Sequence, residues 1–405
     1  MTGIEPLPQP PDGATPDDFA LAARSTPLAA VVREEIASAG GRITFERFMT
    51  LALGHPEHGY YSRNEVTWGA GGDYETSPEV HAIFGYLWAS QVEQCWERLG
   101  RPLPFHLIEP GAGSGRLALD ILTWLHERAP DCAAASRLTL LDGHPLRLAQ
   151  QRRLLEASNV TAEYALVDDW LREITRLSGV IISNEFFDAL PVHLVERRGE
   201  TLNEWYVAEP DEGPEKGELV FQLGPASTPA LDARFARLGL QPGDGCRAEV
   251  CLATPAVMEA MAARLDRGYV ITIDYGKEAT DLYASWRRMG TLMALRSHSP
   301  QPDPLASPGL LDLTAHVDFT SLAAAAQGFE SAVTVSQAEA LTALGIGEAL
   351  GASRERAGED LARFAADRRA VETLLDPAGL GRIRVLVQAR DAPLDGVHCL
   401  RPVAT

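Results

Sequence analysis

The sequence predicts an α/β fold with a doubly wound, mostly parallel sheet. From Phe105 onward, short apolar segments alternate with amphipathic helical segments, which is the pattern of strand–helix–strand units. A glycine-rich turn follows the first strand, at the edge where such sheets bind ligands. The predicted strands are FHLIE (105–109), RLTLLD (137–142), VTAEYAL (160–166), GVIISN (179–184), YVITIDYG (269–276), FESAVTV (329–335) and IRVLVQAR (383–390).

The composition is that of a large globular protein. The chain has 405 residues, 45% of them hydrophobic, which suggests two to three domains or one domain with large insertions. No run of about 18 apolar residues occurs, which disfavours a membrane-spanning helix. The net charge of −20 disfavours nucleic acid as a partner and favours a basic protein or a small cation. Five scattered cysteines without a C-x-x-C pair favour a reducing compartment.

The chain order suggests an arm, a helical region and a sheet with two insertions. Residues 1–24 are rich in proline and acids and carry no base before Arg24. They predict a flexible arm rather than a targeting signal, and a cytoplasmic protein is the simplest interpretation. The further predicted regions are N-terminal helices (25–100), the first half of the sheet (101–192), a β insertion (193–252), the rest of the sheet (253–335), a helical insertion (336–376) and the last strand with the tail (377–405).

Within the helical region, three polar segments predict helix starts. The Ser-Thr-Pro sequence at 25–27 and Thr44 each precede an amphipathic stretch. Thr76 or Ser77 is expected to start a third helix, long and apolar, that runs to Leu99.

The glycine-rich turn carries the first chemical signal. Glu109 ends a strand and is followed by Gly111, Gly113 and Gly115 at alternate positions. Glycines let the chain turn sharply and bring backbone N–H groups close to a ligand. A dinucleotide fold would place a glycine where Arg116 stands, so the pattern suits S-adenosylmethionine, with Glu109 facing its ammonium. A tight turn without any ligand is the alternative interpretation of such a motif.

Acids at the ends of the next two strands strengthen this interpretation. Asp142 ends the second strand, where a carboxylate can accept hydrogen bonds from both ribose hydroxyls. Asp168 and Asp169 follow the third strand, where an acid can accept from the adenine amino group. Each of them could instead be an ordinary turn residue or a helix cap.

The fourth strand ends in SNEFFDALP, which should face the reacting methyl group. Asn184, Glu185 and Asp188 are therefore the catalytic candidates. The structural alternative is a capped short turn with a phenylalanine pair in the core.

Several of these blocks together resemble the MidA-like methyltransferases, a family that includes a mitochondrial complex I assembly factor. The resemblance extends over roughly residues 40–330 and implies a seven-stranded class I methyltransferase (Rossmann-like) fold with N-terminal helices, a β insertion and a helical insertion. The blocks that carry it are HPEHGYYS, GDYETSPEVHAIFG, LIEPGAGSGRL, SNEFFDALPVH, AEVC, TIDYG and LTAHVDF.

With this resemblance, the predicted function is methyl transfer from S-adenosylmethionine to an arginine of a partner protein. Glu185 and Asp188 would hold the guanidinium, and His193 is a weaker candidate that could be only a strand residue. The GDYETSPE loop is expected to close over the cofactor; its residues at the site would be Asp73, Thr76 and Ser77.

Two other functions stay open at this point. One is methylation of a small molecule or an oxygen nucleophile on the same fold, and the other is a non-catalytic assembly factor that binds the cofactor. A metal site is not expected. His55 and His58 stand three residues apart, but no third ligand is evident.

Overall fold

The N-terminal part consists of helices joined by one short strand. The computed structural model describes residues 26–63, 76–210, 212, 217–296, 299–358 and 360–402. The first elements are α1 (Pro27–Ser38), β1 (Arg42–Thr44), α2 (Phe45–Gly54), a 3-10 turn (Tyr60–Ser62), α3 (Ser77–Val80) and α4 (Ile83–Arg98). Thr26 and Thr44 cap α1 and α2 as predicted, since each hydroxyl accepts from the backbone N–H three residues on, at 3.1 Å.

Besides the helices, this region contains one short strand: β1 lies between α1 and α2 and places the buried Ile43 on a neighbouring sheet. One prediction for this region is wrong. The helix expected to run unbroken to Leu99 is interrupted at His81, whose backbone is extended. The His81 Nδ1 atom accepts from the Ile83 N–H at 3.1 Å, so this side chain caps the second helix.

The predicted alternation of strands and helices follows. Its elements are β2 (Phe105–Pro110), α5 (Arg116–Arg128), α6 (Pro130–Ala135), β3 (Ser136–Asp142), α7 (Pro145–Ala157), β4 (Glu163–Leu166), α8 (Val167–Arg172) and β5 (Leu177–Asn184). The third strand is shorter than predicted, because residues 160–162 pair with nothing in the sheet.

The β insertion forms a second sheet. It contains β6 (His193–Arg198), β7 (Thr201–Ala208), β8 (Val220–Pro225), α9 (Ala230–Leu238) and β9 (Arg247–Val250). Strand β7 pairs antiparallel with β1, β6 and β8, and β6 pairs antiparallel with β9. Strands dominate this region, as a β insertion implies, but α9 was not anticipated. It buries Leu231 and Phe235 against this sheet.

The remaining elements complete the central sheet and add the helical insertion. They are α10 (Ala253–Arg264), β10 (Leu265–Asp274), β11 (Gly276–Lys277), α11 (Ala279–Leu282), β12 (Met293–Arg296), β13 (Ser299–Pro300), β14 (Asp312–Thr314), β15 (Val317–Asp318), α12 (Phe319–Ala325), β16 (Ser331–Ser336), α13 (Gln337–Ala343), α14 (Ile346–Ala357), α15 (Leu361–Leu375) and β17 (Arg384–Arg390), with 3-10 turns at Leu380–Arg382 and His398–Leu400.

The central sheet has seven strands in the order β16-β17-β10-β5-β2-β3-β4. Strands β10, β5, β2, β3 and β4 are parallel, and β17 runs antiparallel to both of its neighbours. Successive residues of each inner strand enter opposite cores. Leu107 and Val180 pack toward α4 and α5, whereas Ile108 and Ile181 pack toward α10 and α12. The predicted doubly wound, seven-stranded fold is confirmed.

Candidate active site

The carboxyl ends of the parallel strands meet at one edge of the sheet, and the predicted polar residues collect there. Glu109 lies near the end of β2, Asp142 ends β3, Asn184 ends β5 and Asp274 ends β10. Ligands bind at this edge in open parallel sheets, where strand order reverses. In this sheet the order reverses between β2 and β5. The chain continues from β2 to β3 on one side and from β5 toward β10 on the other.

A cavity of about 240 Å³ opens at this edge. It is bounded by the β2–α5 turn, by α3, and by the ends of β3, β4 and β5. Eight of the predicted site residues line it: Thr76, Glu109, Gly111, Gly113, Asp142, Asp168, Asn184 and Glu185. We call it the cofactor cavity.

The glycine turn has the shape of a ligand cradle. Gly111 has a φ of 66°, a left-handed conformation that side chains other than glycine rarely adopt. A Cβ at this position would lie 2.7 Å from Cδ2 of Phe186. Both residues line the cavity, so any side chain here would push the Phe186 ring into the ligand space.

Glu109 is buried beside this turn and lacks a full set of partners. It is 4% exposed, and its Oε2 atom accepts no hydrogen bond within the described part of the chain. Burial raises its pKa to about 8. A buried acceptor of this kind fits the ammonium group of a bound ligand, which would restore the charged form.

Asp142 is held in one orientation at the end of β3. One carboxylate oxygen accepts from the His144 N–H at 3.2 Å, and the other accepts from Gln151 Nε2 at 2.9 Å. Burial raises the pKa to about 6, although these hydrogen bonds oppose the shift. Each oxygen keeps a lone pair for a further donor, which fits a pair of ribose hydroxyls.

Three of the predicted cofactor residues that the structure describes are not at the cavity wall. Asp169 is exposed and pairs with Arg172; successive residues of a helix point about 100° apart, and Asp168, not Asp169, lines the cavity. Gly115 starts α5 behind the turn, and the Ser77 hydroxyl donates to Gln337 in the helical insertion at 2.9 Å. A further predicted residue, Asp73, lies outside the described residues.

A second cavity of about 160 Å³ adjoins the first. Tyr61 and Glu185 line both cavities, so the two spaces meet at these side chains. The second cavity is also lined by Asp188, Tyr275, Met293, Leu295, Asp312, Thr314, Ala315, His316 and Arg382. We call it the acceptor cavity.

The backbone at Glu185 is strained. This residue has a φ of 50°, which is unfavourable for a side chain with a Cβ and is typical of functional sites. Two contacts maintain the conformation: its N–H donates to the Ile273 carbonyl at 2.8 Å, and Asn184 Nδ2 donates to its Oε1 at 3.0 Å. The next two N–H groups, of Phe186 and Phe187, donate to Asp274 Oδ2 at 3.1 and 2.8 Å.

Buried carboxyl groups collect around this turn without a cationic side chain paired to the two candidates. Burial and the charge of Asp188 raise the pKa of Glu185 to about 8. Burial and the charges of Asp274 and Asp312 raise the pKa of Asp188 well above its usual range. Among the described residues, neither Glu185 nor Asp188 forms an ion pair. Such a group of acids favours a bound cation, because a cation lets them ionise.

Sequence reasoning missed Asp274, Asp312, Tyr61 and His316. Three of them lie in blocks that carry the family resemblance: Asp274 in TIDYG, His316 in LTAHVDF and Tyr61 in HPEHGYYS. Asp312 directly precedes LTAHVDF. These blocks were the available signal. His193, in contrast, lines neither cavity. Its Nδ1 lies 2.7 Å from the buried Glu204 Oε1 on the neighbouring strand, so it is a strand residue.

The described ranges contain neither a candidate metal centre nor a candidate membrane span. No group of three or more His, Cys, Asp or Glu side chains there could hold a metal ion. The rings of His55 and His58 stack at 5.2 Å, and His55 Nδ1 accepts from two backbone N–H groups. No described helix is both long and apolar enough to cross a membrane.

Comparisons with known proteins agree with this geometry. The family model Methyltransf_28, described as "Putative S-adenosyl-L-methionine-dependent methyltransferase", matches residues 87–336. Protein arginine methyltransferase NDUFAF7 of Danio rerio, a mitochondrial protein, is 30% identical over 306 residues, 70% of this chain and 68% of the relative. The Mus musculus protein of the same name is 30% identical over 346 residues, 80% of this chain and 75% of the relative.

A solved structure shares the fold over nearly the whole chain. It is a COG1565 superfamily member from Burkholderia thailandensis, crystallised with S-adenosyl-homocysteine. It has a TM-score of 0.80 and 32% sequence identity, and the match covers 96% of both chains. With the cradle at Gly111, the unpartnered Oε2 atom of Glu109 and the oriented Asp142, the chain belongs to this family of S-adenosylmethionine-dependent methyltransferases, and S-adenosylmethionine is its cofactor.

Proposed function

We propose that this methyltransferase modifies an arginine of a partner protein. The observation that carries the proposal is the position of Glu185, whose side chain lines both the cofactor cavity and the acceptor cavity. Asp188 adds a second carboxyl group on the acceptor side. The relatives named above, which are called protein arginine methyltransferases, support the same acceptor.

The chemistry explains why two carboxylates suit this acceptor. A guanidinium has a pKa above 12, so an ordinary base does not remove its proton before the reaction. Carboxylates of Glu185 and Asp188 can each hold N–H groups of the guanidinium and draw its positive charge toward them. The remaining nitrogen then keeps its lone pair directed at the methyl group, and alignment supplies much of the rate.

The proton balance also requires an acceptor at the site. The cofactor supplies a methyl group on a positively charged sulfur; one N–C bond forms as the S–C bond breaks. The methylated guanidinium is again a monocation, so one proton leaves the acceptor nitrogen. Glu185, ionised while the two cations are bound, can take this proton once the sulfonium charge has been lost, because burial disfavours its charged form.

The experiment combines activity and stability in the same samples. Tritium transfer from labelled cofactor to proteins of a deletion-strain lysate should be followed by mass spectrometry for methylarginine. Glu185→Gln should keep affinity for S-adenosylhomocysteine, which lacks the sulfonium charge, and lower transfer at least about 100-fold, since charge-assisted stabilisation in a buried site contributes several kcal/mol. Asp188→Asn should act similarly and non-additively, because the two carboxylates would act as one unit.

A matched control is Glu249→Gln. Glu249 is also a buried acid with a raised pKa, but it accepts from Thr291 and lines neither the cofactor cavity nor the acceptor cavity. It should keep transfer activity per folded molecule. Full turnover in both site variants would refute the guanidinium clamp. Label only in small molecules, or cofactor binding without any transfer, would refute a protein-arginine substrate.

The location in the cell stays a prediction. The composition of residues 1–24 favours the cytoplasm, whereas the relatives compared above are named as mitochondrial proteins. Fractionation of cells that produce the tagged full chain would test it.

A further inference from the structure

The acceptor cavity has an acidic interior and a cationic residue at its wall. Glu185 and Asp188 lie on one part of the lining, and Arg382 lies on another. Arg382 is exposed, and its side chain forms no hydrogen bond and no ion pair with any described residue. Its guanidinium is therefore available to an anionic group of a ligand in this cavity.

The charges of two further cations, Arg287 and Lys277, reach His316 in the wall of the acceptor cavity. The charges of Arg382, Arg287 and Lys277 all lower the pKa of His316, which lines the cavity, in addition to the larger effect of burial. Neither Arg287 nor Lys277 forms an ion pair within the described ranges. The cavity wall therefore combines carboxylates, which favour a guanidinium, with one cation, Arg382, which favours an anion, and the charges of Arg287 and Lys277 add to its effect from outside the lining.

Tyr275 connects the two sets of charges. Its ring stacks on His316, with 6.3 Å between ring centroids. Burial is the main cause of the raised pKa of its hydroxyl; the charges of Glu185 and Asp188 raise this pKa further and that of Arg382 lowers it, so this one side chain is within electrostatic range of both sets. The acidic and the cationic parts thus belong to one site of limited size, which a single bound segment can contact.

We propose that Arg382 binds a carboxylate of the substrate close to the arginine that is methylated, so that the preferred acceptor is an arginine with an acidic neighbour. This inference rests on the proposed function and makes it more specific. Arg382 would act as a specificity-determining residue through a charge-assisted, two-pronged contact with the carboxylate. The shared ligand chemistry is a guanidinium with a nearby carboxylate, which a peptide or a free guanidino acid can supply.

The proposal opposes what the overall charge predicts. A net charge of −20 favours basic partners, and therefore lysine or arginine next to the acceptor. The local charge at the cavity favours aspartate or glutamate there. Because the two expectations differ in sign, one experiment can separate them.

Peptides of equal length, each with one arginine, should be compared with aspartate, asparagine or lysine on both sides. The measured quantity is kcat/KM for transfer of tritiated methyl groups by the full-length enzyme. The aspartate peptide should exceed the asparagine peptide by about tenfold, which corresponds to about 1.4 kcal/mol, and mostly through KM. The lysine peptide should be the poorest, and raised salt should shrink the differences.

Variants of Arg382 test whether this residue reads the charge. Arg382→Gln should remove the preference, and Arg382→Glu should reverse it in favour of the lysine peptide. Both should bind S-adenosylhomocysteine as the wild type does, because Arg382 does not line the cofactor cavity. The control is Arg369→Gln, an exposed arginine on α15 that lines neither the cofactor cavity nor the acceptor cavity, and it should keep the wild-type preference.

A small-molecule arm separates the two sources of carboxylate. Free arginine should be compared with arginine amide and agmatine under the same conditions. Transfer to free arginine at a kcat/KM above that of every peptide would assign the carboxylate to a free guanidino acid. Equal kcat/KM for all three peptides, or an aspartate preference that persists in Arg382→Glu, would overturn the inference alone. Absence of transfer to every arginine compound would overturn the proposed function with it.

Discussion

Replacement of Gly111 by alanine should weaken cofactor binding in addition to lowering the stability of the fold. The new Cβ would lie 2.7 Å from Cδ2 of Phe186, whereas ordinary contacts begin near 3.4 Å, so the ring must move by about 0.7 Å (3.4 − 2.7). The ring already borders the cofactor cavity, and Gly111 lies on the same wall. Movement of this ring should therefore change the shape of the space that receives the cofactor.

The magnitude follows from two separate contributions. A left-handed φ of 66° costs alanine about 1–2 kcal/mol relative to glycine, and this lowers stability whether or not a ligand is present. Overpacking against Phe186 costs about 1–3 kcal/mol more. If the ring occupies the ligand space in the free protein and must be displaced by the ligand, this second cost weakens binding. The dissociation constant for S-adenosylhomocysteine should then rise about 5- to 150-fold.

Gly239→Ala isolates the second contribution. Gly239 ends α9 with a φ of 65°, nearly the same as that of Gly111, but nothing lies within 4 Å of a Cβ built there. Both variants should lose similar stability by thermal denaturation, and only Gly111→Ala should lose affinity by isothermal titration. A dissociation constant within about twofold of wild type in Gly111→Ala would refute the placement of the cradle.

Three further outcomes are expected at the same edge of the sheet. Asp142→Ala should weaken cofactor binding by about 2–3 kcal/mol, since two charge-assisted hydrogen bonds are lost, and a loss below about 0.5 kcal/mol in titration would place the ribose elsewhere. Because burial raises the pKa of Glu109 to about 8, cofactor binding at pH 7 should release a proton from this side chain. The Glu109→Gln variant should release fewer protons on binding, as measured by titrations in buffers of different ionisation enthalpy. Glu185 has a folded-state pKa of about 8 against an ordinary value of 4.5, so between these pH values the folded state binds a proton that the unfolded state has lost. The stability of the fold should therefore fall as pH rises from 4.5 to 8. Thermal denaturation of Glu185→Gln should show a flatter stability curve in this range.

The main sheet was predictable because its signals are local. Each inner strand is a short apolar run with its own turn residues, and β2, β3 and β5 lie within two residues of their predicted bounds. Strand β1 was not predictable in this way. Its three residues stand between two amphipathic helices, and they become a strand only by pairing with β7, more than 150 residues later.

The site was predictable where function follows directly from a strand end. Glu109, Asp142 and Asn184 could be placed together because parallel strands end at a common edge. Asp312 gives no such signal. It lies on β14, outside the central sheet, and the Ala315 N–H, three residues later, donates to the Asp188 carbonyl at 3.0 Å. Contacts between segments outside the alternation of strands and helices depend on tertiary packing, which sequence periodicity does not encode.

The concentration of buried acids has a common cause in the charges of the two ligands. The cofactor carries a sulfonium and the proposed acceptor carries a guanidinium, so two cations must approach each other in a site of low dielectric constant, where their repulsion is strong. Glu185 lies between the two cavities, and its pKa of about 8 shows that without a cation it holds its proton. Binding of either cation favours its ionised form, and that form in turn attracts the other cation. By linkage, the two ligands then favour each other's binding by the same factor, although their direct interaction is repulsive. The strained backbone at Glu185 is consistent with this role, because it places one carboxyl group where both ligands can use it.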